Sequence, residues 1–179
     1  MGMHCFFVQI LPDDAQIVFQ DKDYLGETCR VRKNICASTC LQKNWDAIFR
    51  VQGFALTQSA YDSGRVCRTL NDCVDFFVET SVEGGTFLTL VGSYSCYDTS
   101  IAVMVGAIKT VAASAEKNVK LFAHGSVVRY DEIDAAEFLS AQFNDGYDSF
   151  KKIFPDDHRV TAPSQFWKRP KSAGKVTFG

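Results

Sequence analysis

The apolar positions of this chain fall in short runs, and the densest, Thr86 to Val91, opens after the pair Gly84-Gly85 and stops in the small polar sequence Gly92-Ser93-Tyr94-Ser95. Phe87, Leu88, Leu90 and Val91 put apolar side chains on both faces of a strand, interrupted only by threonine. That pattern predicts a central strand in a sheet covered on both sides. Cys5 to Ile10 reads as another strand, ended by the turn cluster Pro12-Asp13-Asp14, and Ala15 to Phe19 as a third, with Asp21-Lys22-Asp23 turning the chain again. Arg30 to Lys43 fits a loop or a helix. Ala47 to Val51 reads as a strand, with Phe54 to Ala60 pairing back on it across a turn near Gly53. Asn71 is a plausible N-cap for a short amphipathic helix carrying Val74, Phe77 and Val78. Thr99 or Ser100 caps a longer helix with Ile101, Val105, Ile108 and Ala112 on one face, ending near Lys117-Asn118. Val119 to Phe122 and Val127 to Tyr130 bracket Ala123-His124-Gly125-Ser126 as two strands. From Asp131 the pattern is helical through Ala135, Phe138, Leu139 and Phe143.

Many short strands with two or three helices predict an α+β domain with largely antiparallel sheets. The length of 179 residues suggests one domain with a real core, taken as 1–155, followed by an irregular extension over 156–179 that contains Pro163 and Pro170. Hydrophobic residues make up 46% and charged residues 22%, ordinary for a globular chain. A net charge of −2 leaves no electrostatic footprint for nucleic acid, and Lys168-Arg169-Pro170-Lys171 reads as a solvated tail. No apolar run reads as a bilayer span of about 20 residues, so membrane insertion is not expected. The first segment lacks the features of a signal peptide, which fits either a mature domain whose leader was removed or a protein not exported by that route.

Seven cysteines (Cys5, Cys29, Cys36, Cys40, Cys67, Cys73 and Cys96) favour a disulfide framework with one thiol left over, against buried thiols as the alternative. Their pairing cannot be read from spacing. Cys36-x-x-x-Cys40 is half of a zinc site without its second half, and the turn pairs Asp13-Asp14 and Asp156-Asp157 read as solvated carboxylates rather than calcium ligands. No metal or other cofactor is expected. The sharpest enzymatic constellation is a cysteine hydrolase: Cys96 or Cys36 as nucleophile, His124 as base, and Asp131 or Asp98 as orienter. Cys96 would sit where a strand hands over to a helix, and a helix N-terminus lowers a thiol pKa.

From Cys5 to about Asp131 the order of blocks resembles the interleukin-like EMT inducer and PANDER family, also called the GG domain. Gln16-Ile17-Val18-Phe19-Gln20-Asp21-Lys22 stands where that family has Ile-Cys-x-x-Asp-Lys, without the cysteine. Trp45 to Val51 stands for a Gly-Leu-Asn-Ile-x-Leu-Val-Asn strand, and Ser59-Ala60-Tyr61-Asp62 for Ala-x-x-Phe-Asp. Cys73 to Val78 stands for a Leu-x-x-Phe-Ile helix, and Gly85 to Tyr94 for the Gly-Thr-Leu-Val-x-x-Ala-Ser-Tyr-Asp segment. Phe122 to Val128 corresponds loosely to the last block, lacking its Trp and closing Gly. The resemblance implies two twisted antiparallel sheets, sandwich-like, with short helices outside. Members are secreted signalling proteins or modules of glycan-handling proteins, one of them a sugar-binding stem domain, and none is catalytic by itself.

The leading expectation is therefore a non-enzymatic extracellular recognition domain that takes a glycan or a cell-surface receptor. Tyr61, Asp62, Ser93, Tyr94, Asp98 and Arg129, at strand ends and loops, would line its cleft. The alternative reading of these residues is that Tyr61 and Tyr94 are half-buried sheet positions and Asp62 caps a turn. The cysteine hydrolase, and an intracellular structural or interaction protein, are the competing classes.

Overall fold

The computed structural model describes residues 4–41, 44–60 and 66–155. In chain order the elements are β1 (Cys5–Pro12), β2 (Gln16–Tyr24), β3 (Glu27–Cys36), α1 (Trp45–Val51), β4 (Leu56–Ala60), β5 (Val66–Leu70), β6 (Val74–Thr80), β7 (Thr86–Ser93), α2 (Tyr97–Ser114), β8 (Val119–Ala123), β9 (Ser126–Arg129) and α3 (Ala135–Ile153). The fold is α+β. Seven strands form one antiparallel sheet in the order β4-β5-β6-β7-β1-β8-β9, and β2 with β3 forms a separate two-stranded sheet. The expected second sheet is thus a ribbon. The expected central strand is β7, fourth of seven, with Leu88 and Leu90 fully buried and Phe87 and Val91 nearly so.

Alternation along β7 assigns the two faces of the large sheet. Leu88 and Leu90 turn to the helices, where they join Phe6, Val8, Ile10, Phe49, Met104, Ile108, Leu139 and Phe143 in the main core. Phe87 turns the other way and packs with Leu11, Ala15, Ile35 and Phe122, with Ile17 and Phe19 of the ribbon closing over them. Helix α2 meets β7 at Gly92, where an added Cβ would lie 2.8 Å from the Phe6 ring and 2.9 Å from Ser100 Cβ.

Several elements differ from expectation, and Phe54 to Ala60 finds another partner: β4 pairs with β5, not with Ala47 to Val51. Trp45 to Val51 is a helix: Asn44 accepts a hydrogen bond from Ala47 N–H as its N-cap, and Trp45 and Phe49, four apart, turn into the core with ring centroids 5.9 Å apart. Its alternation of Ala47, Phe49 and Val51 was accidental, since Val51 is 82% exposed. Val74 to Val78 is a strand, because Asn71 and Asp72 do not cap a helix. Both have positive φ (51° and 53°) and, with Cys73, make the three-residue turn that folds β5 onto β6. Phe76 and Phe77, adjacent and both buried, then fill opposite faces of the sheet. Arg30 to Cys36 belongs to β3, and Asp21-Lys22-Asp23 continues β2, the chain reversing instead at Leu25 and Gly26 (φ 51° and 86°). Helix α2 starts at Tyr97, after a 3-10 turn over Tyr94–Cys96, and ends at Ser114.

The stretch Tyr94–Ser114 is long and apolar enough to cross a membrane, and half of it is buried within the fold. Beyond β3, Asp14 fixes the chain: its carboxylate accepts from Ser38 N–H and Oγ–H (2.9 Å each) and from Thr39 N–H (3.1 Å). Partial burial pushes this carboxyl up, but these donors outweigh it and hold the pKa at about 2, against 3.8 ordinarily. A lowered carboxyl pKa stabilises the fold above the unfolded value, and the contribution is lost as pH falls from 3.8 to about 2. The melting-temperature gap between wild type and Asp14→Ala should therefore stay constant above about pH 5 and close below it; a gap that widens in acid would contradict this role.

Candidate functional site

Of the residues expected to form a cleft, the four described ones are not gathered in one place. Tyr61 and Asp62 lie outside the described residues, as do Asp156 and Asp157. Ser93 is fully buried, donating to the His4 carbonyl at 3.1 Å and sharing a 2.7 Å hydrogen bond with Ser95 Oγ. Tyr94 is 7% exposed, stacked among Phe6, Tyr97 and Phe150, and its ring closes so tightly on α3 that a Cβ at Gly146 would lie 2.1 Å from the Tyr94 hydroxyl. Burial, aided by the nearby Tyr97, pushes its phenol up to about 12. Asp98 is exposed in the first turn of α2. Arg129 is exposed on β9 among Asp13, Asp131 and Glu132. Ser93 sits opposite Cys5, whereas Arg129 sits opposite Lys120, which faces Leu11, six residues further along β1. That is about 20 Å of strand.

The hydrolase constellation is likewise dispersed. His124 is exposed in the β8–β9 turn, edge-on to Phe143 at 4.8 Å, and its ring makes no hydrogen bond to Cys96 or Cys36. Asp131 accepts from Asn118 and Arg129 instead of orienting the histidine. Cys96 is 3% exposed and shares hydrogen-bonding contacts with Cys73 and Ser100. No disulfide joins any of the seven cysteines, so the expected framework gives way to thiols. Cys29 and Cys40 are exposed, whereas Cys67, Cys73 and Cys96 are buried. A thiol probe at neutral pH should modify Cys29 and Cys40 first, with those three reacting at least about a hundredfold more slowly until the protein opens. A single fast Cys96 would instead revive the hydrolase reading. Among the described residues no three His, Cys, Asp or Glu side chains converge as metal ligands.

What the fold does gather is a polar junction under the ribbon. On the ribbon-side face, Gln9 and Thr89 stand opposite each other in the β1–β7 ladder, with Glu79 beside them on β6. The Gln9 amide donates to Thr89 Oγ1 at 3.2 Å and to Glu79 Oε2 at 3.3 Å, the Thr89 hydroxyl donates to the same Glu79 oxygen, and Arg32 Nη1 of β3 donates to Gln9 Oε1. Gln9 and Thr89 are almost fully buried, and each finds a partner, as buried polar groups must. Burial lowers the Arg32 pKa and the nearby Glu79 carboxylate opposes that. This chain of bonds pins the root of the ribbon to three strands of the large sheet.

Beside it lies a shallow depression of about 160 Å³ lined by Arg32, Lys33, Asn34, Ile35, Thr80, Ser81, Val82 and Phe87. Pockets for small molecules run to roughly 300–1,000 Å³, so this one is too small to enclose a substrate. Beyond the root, the ribbon leaves the body. Asp21, Lys22, Asp23 and Tyr24 pair with Arg30, Cys29, Thr28 and Glu27, and all eight are exposed. The four pairs project about 13 Å and end in Tyr24 (69% exposed) and Leu25 (92%). A two-stranded ribbon is marginal in water; this one is stiffened by Arg30 stacked on Phe19 at 4.6 Å and by Thr28 donating to Asp23 at 2.8 Å. Reading Asp21-Lys22-Asp23 as a turn hid this element. The Leu25-Gly26 pair between two runs of alternating residues was the signal that marks it.

Compared with known protein families, characterised proteins and solved structures, the chain matches none.

Proposed function

We propose that this chain is a non-catalytic recognition domain whose contact element is the β2–β3 ribbon and whose partner is a receptor-type protein surface. The observation that carries this is the projecting ribbon, rigidly rooted through Arg32, Gln9, Thr89 and Glu79, with Tyr24 and Leu25 exposed at its tip. An apolar tip flanked by Asp21, Lys22, Asp23, Glu27 and Arg30 has the make-up of an interface centre with a polar rim. A glycan would need a polar cleft with an accessible aromatic face, and Tyr94 is inside the core while Phe87 is 6% exposed under the depression. A protein partner is therefore the better-supported of the two.

The test is quantitative capture by immobilised wild type and by Tyr24→Ala from extracts of cells that make the protein. A tip tyrosine buried on binding contributes about 2 kcal/mol, or some thirtyfold in affinity, so a protein partner should be depleted on the variant while its melting temperature is unchanged. Equal capture by both, or a captured glycan indifferent to Tyr24, would overturn the proposal.

A further inference from the structure

We propose that Cys73 and Cys96 form a redox-modification site, a dithiol placed to close into one disulfide that ties the β5–β6 turn to the start of α2. Their sulfurs are 4.0 Å apart, and Ser100 Oγ lies 3.3 Å from each. A disulfide needs about 2.05 Å, so the sulfurs must approach by about 2 Å. Both cysteines also sit at junctions rather than inside a ladder: Cys73 is the last residue of the β5–β6 turn, and Cys96 is the N-cap of α2 without a capping side-chain bond. The two residues are nearly enclosed, at 2% and 3% exposure, so a bond formed there is shielded from external reductant.

The oxidant is a low-molecular-weight disulfide, R–S–S–R. The Cys96 thiolate attacks one of its sulfurs, a Cys96–S–S–R bond forms, and RS⁻ leaves and takes up the proton that Cys96 gave up. The Cys73 thiolate then attacks the Cys96 sulfur, the protein disulfide forms, and the second RS⁻ leaves with the Cys73 proton. Two protein thiols are oxidised and one external disulfide is reduced to two thiols. The hydrogen bond with Cys96, and then burial, raise the Cys73 pKa and keep it protonated. The exchange is therefore slow in the closed protein and proceeds as the first turn of α2 opens. Joining residues 23 apart in sequence restrains the unfolded chain and should raise the melting temperature by on the order of 5–10 °C. The same chain would then fold as a dithiol in a reducing compartment and gain stability in an oxidising one. This holds whichever surface binds the partner.

The experiment uses the full chain, incubated with oxidised glutathione, then alkylated in denaturant and digested. No Lys or Arg separates the two cysteines, so trypsin leaves both in peptide 69–109, while cleavage after Glu79 and Glu83 parts them. The expected result is a 69–109 peptide lacking two hydrogens and carrying no alkyl groups, and a cross-linked pair after glutamate-specific cleavage. The wild type should gain stability on oxidation and lose it on reduction with dithiothreitol, and Cys73→Ser should show no gain. Two alkyl groups on 69–109 after exposed Cys29 and Cys40 have been oxidised would overturn the proposal. So would a bond from Cys73 or Cys96 to any other cysteine.

Discussion

Gly85→Ala is expected to lower stability by about 3 kcal/mol, a fall of roughly 6–12 °C in melting temperature for a chain of this length. A Cβ there would sit 2.3 Å from the Ala37 carbonyl oxygen, 2.7 Å from its carbon and 2.7 Å from the Thr39 carbonyl oxygen. These are backbone atoms held in place from several sides. Gly85 N–H donates to Ala37 O at 2.8 Å, Thr86 N–H donates to Thr39 O at 3.2 Å, and the Ser81 hydroxyl donates to Ala37 O. Relief of the clash would break the strip that lays the chain after β3 along the start of β7. The two glycines have different duties: Gly84 supplies a turn with φ of 87°, with open space where a side chain would go, and Gly85 supplies the close approach. Gly84→Ala should accordingly cost about 1 kcal/mol. Urea unfolding of both variants checks the ranking, and equal, small losses would contradict it.

Phe6→Ala is expected to cost about 4 kcal/mol, in the range for emptying a buried aromatic site. Phe6 is 2% exposed at the meeting of β1, α2 and α3, with ring centroids 4.9 Å from Tyr94, 5.5 Å from Tyr97 and 4.7 Å from Phe143. Those neighbours are themselves large and mutually packed, so the vacated space cannot collapse without moving a helix. Phe6→Leu, which keeps most of the volume, should lose less than half as much. Thermal unfolding measures both; a loss under about 1.5 kcal/mol for the alanine variant would show that this junction is loosely packed.

The sequence signals that held were those where one physical requirement dominated. An apolar run with no polar face demands a strand covered on both sides, and β7 is that strand. Alternation on each side of Ala123-His124-Gly125-Ser126 gave β8 and β9, and the long apolar periodicity gave α2. Short segments failed because two periodicities fit them equally. Ala47, Phe49 and Val51 satisfy a strand, but Trp45, Ile48 and Phe49 satisfy a helix, and the tertiary core took the second set. Asn71 looks like an N-cap until both it and Asp72 are seen with positive φ. Two of the blocks that resemble the GG-domain family, Trp45 to Val51 and Cys73 to Val78, thus fall on elements of the other kind, so the functional proposal rests on the ribbon instead. The polar junction was not legible at all: Gln9, Arg32, Glu79 and Thr89 are dispersed along the sequence, and only the β1–β7 and β6–β7 registers and the packing of the ribbon over them bring them together.

Site-specific photocrosslinking from the ribbon tip tests the functional account most directly. A photoreactive residue replacing Leu25 should trap one protein partner in cells that make this chain, and the adduct should be lost when Tyr24→Ala is added. The same residue replacing Val51, also exposed (82%) at the end of α1, should trap none. A common adduct from both positions, or no adduct from Leu25, would contradict a ribbon-borne recognition function.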